Sequence, residues 1–293
     1  MPTISFAENL SGCYGYAKQP ADFRRIVNIS SVRKPDAANA MARQSNRHQL
    51  PSQGSAEHFA LWDYYHEYVT PERRARLAEV LRKRTRRIAV VLEDVRQSHN
   101  VSAVLRSCDA FGLQDVHVLE PTESFDPSTK VALGSQQWLT IRRATGADAI
   151  GRGIETLKNQ GYRIVATVPP GSGAVPFEEI NLDGPVAVVF GNEKYGITSE
   201  MAAAADQLTT IPMHGFVESL NISVAAALLI QSLSSRIRAT RNDWELSSAE
   251  YEDLLFEWTR KSIPAVEFIE QRWLAERRAV AGPSHSRQPA AVE

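Results

Sequence analysis

Residues 88–95 read IAVVLEDV, and residues 100–112 read NVSAVLRSCDAFG. The first is a short apolar, β-branched run. The second is a helical stretch that stops at Gly112, where a helix end favours a residue able to take a left-handed backbone. Moving outward, the same alternation continues through DVHVLE (115–120), ADAIGRGIETLKNQG (147–161), YRIVATV (162–168), PVAVVFG (185–191), a helix near SEMAAAADQL (199–208), TTIPM (209–213) and NISVAAALLIQSLSSRI (221–237). Gly161 ends a helix as Gly112 does. Strands apolar at nearly every position must be covered on both faces. The order therefore predicts an α/β fold with a mostly parallel sheet and helices on both sides over residues 88–238.

The flanks differ from this core. Residues 1–54 mix Ser, Asn, Gln, Ala, Pro and Arg without a hydrophobic period, the composition of a segment that buries too little to offset its ordering entropy. They are expected to be a disordered extension. A transit peptide is also rich in Arg and Ser, but Glu8, Asp22 and Asp36 count against one. Residues 55–87 form a basic helical region. Thr70-Pro71-Glu72 supplies a cap, a first-turn proline and a first-turn acid, and Arg73, Arg74, Arg76, Arg82, Lys83, Arg84, Arg86 and Arg87 follow against Glu72 and Glu79. Such a run is either a solvated face or a phosphate-binding patch. Residues 239–278 hold a helical extension, ELSSAEYEDLLFEWTRKS then PAVEFIEQRWLAERR, with Leu254, Leu255, Trp258, Val266, Phe268, Ile269 and Trp273 at helical spacing. It is expected to pack on the core or on another copy, before a polar tail at 279–293.

The 293 residues carry a formal net charge of -1, so any affinity for nucleic acid must come from local clusters. No apolar run approaches membrane-spanning length and no secretory signal opens the chain, and the two cysteines, Cys13 and Cys108, form no disulfide framework. The expectation is a soluble cytoplasmic protein with no membrane partner. Among nucleotide signatures, neither G-x-G-x-x-G nor G-x-x-x-x-G-K-[ST] occurs. That removes a nicotinamide-dependent oxidoreductase. The seven histidines show no metal-ligand spacing and there is no G-x-S-x-G elbow, so neither a metal nor that hydrolase chemistry is expected.

Three segments are unusual. Asn100-Val-Ser-Ala-Val-Leu-Arg106 comes directly after the first strand, so Asn100 can cap its helix while Arg106 projects towards the C-terminal edge of the sheet, where open α/β folds bind ligands. Gly191-Asn-Glu193-Lys-Tyr-Gly196 brackets a carboxylate and a lysine between two glycines at a strand end, with Thr198 or Ser199 to cap the next helix. A plain strand-to-helix turn reads equally well there. In Ile211-Pro-Met-His-Gly-Phe-Val-Glu-Ser219-Leu220-Asn221-Ile-Ser223, three hydrogen-bonding side chains crowd one helix N-terminus, more than capping requires.

In order, these segments resemble the N-x-S-x-x-x-R, G-x-E-x-x-G-[IV] and I-P-M…S-L-N-[VI]-S motifs of the SpoU/TrmH branch of the SPOUT methyltransferases, over about residues 73–235. The resemblance implies a sheet whose C-terminal part is threaded into a deep trefoil knot, a rare exception to unknotted folding. It also implies a homodimer packed through knot helices, which the apolar VAAALLIQSL would suit. S-adenosylmethionine would meet backbone around Thr167, Gly191, Ile211 and Leu220. Arg106 would be the principal catalytic residue, holding an RNA phosphate and stabilising a developing alkoxide, with the role of literal base left open. Asn100 would orient Arg106 or the RNA, Glu193 would hold the active-site loop, and Ser219 and Asn221 would complete the site. The implied activity is methylation of a ribose 2′-hydroxyl in RNA.

The flanking helices resemble those of members acting on a guanosine in the D-loop of tRNA, with Arg73, Arg74, Arg82, Lys83, Arg84, Arg86 and Arg87 as RNA contacts. Ribosomal RNA or another tRNA position stays open, because the motifs serve the cofactor and the ribose. A non-catalytic RNA-binding protein is the reading from another class. The retained Arg106, Glu193, Ser219 and Asn221 argue against it.

Overall fold

A computed structural model describes residues 50–121, 135–171 and 173–281. The polar tail from residue 282 onward and nearly all of the N-terminal extension lie outside those residues. The strands and helices of the described residues belong to the compact unit that begins at Ser52.

Among the described residues two helices come first, α1 (Ala56–His66) and α2 (Pro71–Leu81), followed by β1 (Thr85–Glu93), α3 (Ser98–Ala110), β2 (Leu113–Glu120), β3 (Thr140–Thr145), α4 (Ala149–Asn159) and β4 (Arg163–Thr167). Then come β5 (Val175–Pro176), β6 (Val186–Phe190), α5 (Ser199–Ala204), β7 (Gln207–Thr210), α6 (Ile222–Thr240), α7 (Ser248–Lys261) and α8 (Val266–Ala281). The seven strands lie in the order β3-β2-β1-β6-β4-β7-β5, and every pairing between them is parallel.

Strand β1 shows why its run is apolar throughout. Ile88, Val90 and Leu92 face a cluster shared with α3 and α6, while Ala89 and Val91 face a second cluster with Ile150 and Leu157 of α4. Helix α2 starts as its sequence dictates, with the Thr70 hydroxyl accepting from the Arg73 N–H at 3.2 Å. Gly112 has φ +77, and a Cβ there would stand 2.4 Å from the Lys83 carbonyl oxygen. The C-terminal helices pack on the N-terminal ones: Leu254 and Trp258 meet Leu77 and Leu81, and Trp273 meets Leu61 and Tyr65.

Three local expectations change. Strand β1 begins at Thr85 and takes in Arg86 and Arg87, which the sequence had placed in the basic helical region. Strand β3, TIRRAT, is polar because it pairs with β2 alone at the sheet edge, and it gave no apolar signal. Asn100 does not cap α3. That helix starts at Ser98 after Gln97, so Asn100 sits in the first turn, 1% exposed.

Candidate active site

Strands β4, β6 and β7 end side by side at Thr167, Phe190 and Thr210, and a cavity of about 710 Å³ opens over these C-terminal ends. That volume falls within the range of small-molecule sites. Thr167, Gly191, Ile211 and Leu220 all line it, as do Glu193, Ser219 and Asn221. The Thr167 hydroxyl is engaged, donating to the Val189 carbonyl at 2.8 Å.

Between β6 and α5 the chain makes a closed loop. The Asn192 N–H donates to the Gly196 carbonyl and the Gly196 N–H returns to the Asn192 carbonyl, both at 2.9 Å. The Asn192 side chain braces the loop from inside. Its Nδ2 donates to the Asp94 carbonyl at 2.8 Å, and its Oδ1 accepts from the Lys194 and Tyr195 N–H groups at 2.9 and 3.2 Å. At the far end Thr198 caps α5 by accepting from the Met201 N–H, while the Thr198 N–H donates to Glu93 Oε1 at 3.0 Å. The loop is thus tied twice to the end of β1.

Asn100 joins the three sequence motifs. Its Nδ2 donates to Glu193 Oε1 at 2.9 Å and to Gln97 Oε1 at 3.0 Å, and its Oδ1 accepts from Asn221 Nδ2 at 3.2 Å. Asn221 in turn caps α6, its Oδ1 accepting from the Ser223 N–H at 2.8 Å. Asn100, Glu193 and Asn221 are therefore one hydrogen-bonded set at the cavity wall. Ser219 is exposed there and bonds to no described residue. Arg106 stands apart, about 9 Å further along α3 from Asn100 by helix rise. It is exposed, lies outside the cavity lining, and makes no hydrogen bond or ion pair with a described residue.

Residues 87–231 match the model of a family described as the SpoU rRNA Methylase family. A tRNA (guanosine(18)-2′-O)-methyltransferase of Borreliella burgdorferi is 38% identical over 205 residues, covering 70% of this chain and 92% of that protein. One with the same description from Thermus thermophilus is 38% identical over 66% of this chain and 98% of its own length. The crystal structure of the A. aeolicus TrmH/SpoU tRNA-modifying enzyme superposes with a TM-score of 0.56 and 30% identity, over 66% of this chain and 98% of that one. The chain belongs to the SpoU/TrmH family.

The motifs of this SpoU/TrmH chain give no role to Glu93 or Gln97, and Asn192 falls at a variable motif position, yet all three hold the site together. The signal for Asn192 was local: an asparagine inside a tight glycine-bounded loop can accept from the N–H groups two and three residues on. Glu93 and Gln97 gave no such signal. Glu93 is fully buried and its Oε2 finds no hydrogen-bond partner among the described residues, and burial raises its carboxyl above the ordinary glutamate range. A carboxyl raised by folding lends stability that is present at low pH and is lost as pH rises through the folded value. Glu93→Gln is accordingly expected to retain the fold and to flatten that decline, as thermal unfolding measured from pH 5 to pH 9 would show. An unchanged pH profile would count against a raised Glu93.

The basic region needs correction. Arg84 is 1% exposed, pairs with Asp109, donates to the Leu113 carbonyl at 2.9 Å and lies 5.1 Å from the Trp258 ring centroid. Arg86 Nη1 donates to both carboxylate oxygens of Asp115, at 2.9 and 3.0 Å, and Arg87 holds Asp243 at 3.0 Å. Arg74 donates to the His66 carbonyl. These arginines join elements of the fold, so Arg84 is withdrawn as an RNA contact and Arg86 and Arg87 have protein partners instead. Arg73, Arg82 and Lys83 remain exposed. Among the described residues, no helix is long and apolar enough to cross a membrane.

Proposed function

We propose that this chain transfers a methyl group from S-adenosylmethionine to a ribose 2′-hydroxyl of tRNA, at the guanosine 18 after which its relatives are described. The observation that carries the reading is the Asn100–Glu193–Asn221 set at the wall of a strand-end cavity, with the unpaired Arg106 on the same helix as Asn100. The cavity suits the cofactor. Ile211, Leu220, Ile222 and Leu229 offer apolar surface for an adenosine, and the strand ends offer backbone groups to orient it.

When bound, S-adenosylmethionine supplies an electrophilic methyl on a sulfonium. A ribose 2′-hydroxyl is a poor nucleophile, so the protein must hold it in line and favour loss of its proton to water as the O–C bond forms and the methyl–sulfur bond breaks, leaving a neutral thioether. Arg106, cationic and unoccupied, holds an RNA phosphate and stabilises the alkoxide as it develops. Glu193 is fixed by Asn100 and keeps the 191–198 loop in place, while Ser219 and Asn221 present hydrogen-bonding groups from the other side.

Assembly and location extend the same proposal. Val224 and Leu228 lie one turn apart on α6, 48% and 46% exposed, and Phe216 and Val217 beside its N-terminus are open to solvent. An exposed apolar stripe of this kind supports a homodimer through α6, in a chain knotted as its family is. The proposed location is the cytoplasm, with which a tRNA substrate is consistent.

Incubation with methyl-labelled S-adenosylmethionine and unmodified tRNA or ribosomal RNA tests the reading. One ribose methyl per tRNA at guanosine 18 is expected. Label confined to ribosomal RNA, or no label, would overturn it.

A further inference from the structure

A second cleft, of about 820 Å³, lies at the end of the sheet opposite the cofactor cavity. Lys83 just before β1 and Gly112 just before β2 line it, so it sits at the N-terminal ends of the parallel strands. Helix α6 connects the two sites. Ile222, Ala225 and Leu229 of this helix line the cavity and Ser234, Ser235 and Arg238 line the cleft, with its two ends at Asn221 and Arg238 about 25 Å apart at 1.5 Å of rise per residue.

The floor of this cleft is aromatic and its rim is cationic. Trp138 and Trp258 meet edge to face with centroids 5.3 Å apart, and Trp244 stacks beneath Arg238 at 4.8 Å. Arg84 is buried and paired with Asp109, and Arg238 is half-buried and donates to the Lys83 and Phe111 carbonyls, so they stiffen the floor. The rim is different. Arg73 lies 5.1 Å over the Trp138 ring, and its guanidinium has no acceptor among the described residues. Arg76 and Lys83 share the one carboxylate of Glu79, and their side chains are 62% and 67% exposed. An apolar aromatic floor under a rim of positive charge fits a nucleotide: the ring system takes a base of any identity and the cations take its phosphate.

We propose that this cleft binds an unpaired nucleotide of the RNA substrate, at the opposite end of α6 from the cofactor cavity, with its phosphate on Arg73, Arg76 and Lys83 and its base against Trp138 and Trp244. The inference rests on the RNA methyltransferase reading and adds a second point of contact to it. In a chain of net charge -1, two separated contacts are a means of holding folded RNA without a general positive field. An RNA fragment carrying only the methylated loop would reach one contact and lose the other.

Arg73→Glu and Trp244→Ala in the full-length chain test this by their affinity for an unmodified tRNA transcript and for a hairpin bearing the methylated loop alone. The tRNA Kd should rise roughly tenfold in each variant, and the salt dependence of tRNA binding should become shallower by about 0.7 in log–log slope for Arg73→Glu. Hairpin affinity should stay that of the parent. Parent-like tRNA affinity in Arg73→Glu, where no buried group is disturbed, overturns the proposal. An equal loss on the hairpin would mean unspecific charge, and a changed sedimentation coefficient would give the cleft to a second copy of the chain; either overturns it as well. So does tight binding of guanosine monophosphate alone, abolished by both variants, because it assigns the cleft to a free nucleotide. A parent chain that methylates no RNA fails the methyltransferase reading itself, whereas a parent that methylates tRNA beside variants that bind it undiminished fails only the second contact.

Discussion

Arg106→Ala is expected to lower methyl transfer at saturating tRNA and cofactor by about 10²–10³-fold, the scale of losing one positioned donor to a developing oxyanion. The parent's cofactor affinity and thermal midpoint should remain. The separation comes from where Arg106 sits. It is exposed and bonded to no described residue, so its removal leaves no buried group unpaired, and surface changes of that kind stay within about 0.5 kcal/mol. It is also absent from the cavity lining, so the cofactor should bind as before. Arg106→Lys refines the test, because lysine keeps the charge and loses the planar fork that grips a phosphate. Turnover between the parent and Arg106→Ala is expected for it. Near-parent turnover in Arg106→Ala would remove Arg106 from the chemistry.

Much of the fold was legible because its signals are local. Ile88 to Leu92 must be apolar at every position when α3 and α6 cover one face and α4 covers the other, and a parallel sheet is the consequence. Strand β3 escaped notice for the converse reason, since an edge strand with one partner can stay polar. The site was legible only through the ordered motifs. Asn100 read locally is a helix cap, yet its partners Glu193 and Asn221 lie 93 and 121 residues away, a distance over which no period in the sequence carries information. The basic region failed in the same way. Arg84, Arg86 and Arg87 read as part of a positive patch because Asp109, Asp115 and Asp243, which engage them, are remote in sequence. Charge counted along a chain overstates the charge left on a surface whenever the fold supplies distant counter-ions.

The loop that Asn192 braces also sets the second large effect, the outcome of Gly191→Ala. A Cβ at Gly191 would lie 2.2 Å from the Gly196 carbonyl carbon and 2.4 Å from both the Gly196 oxygen and the Ile197 nitrogen. All three are backbone atoms, so no side chain can turn aside to make room. The loop itself would have to move, and it is held by the paired Asn192–Gly196 bonds, by Asn192 on the Asp94 carbonyl and by Thr198 on Glu93. Moving it also pulls Glu193 from Asn100 and reshapes the cavity wall. Gly191→Ala is therefore expected to weaken S-adenosylmethionine binding by roughly tenfold or more in calorimetric titration, and to cost about 1–3 kcal/mol of stability, the usual range for overpacking. Gly196→Ala is the contrast. Its φ is +71 and a Cβ there meets nothing within 4 Å, so it bears only the left-handed backbone cost of about 1–2 kcal/mol. Cofactor binding should then survive in Gly196→Ala and fail in Gly191→Ala. Equal affinities in the two variants would show that the close crossing of the loop over Gly191 does not shape the cofactor site.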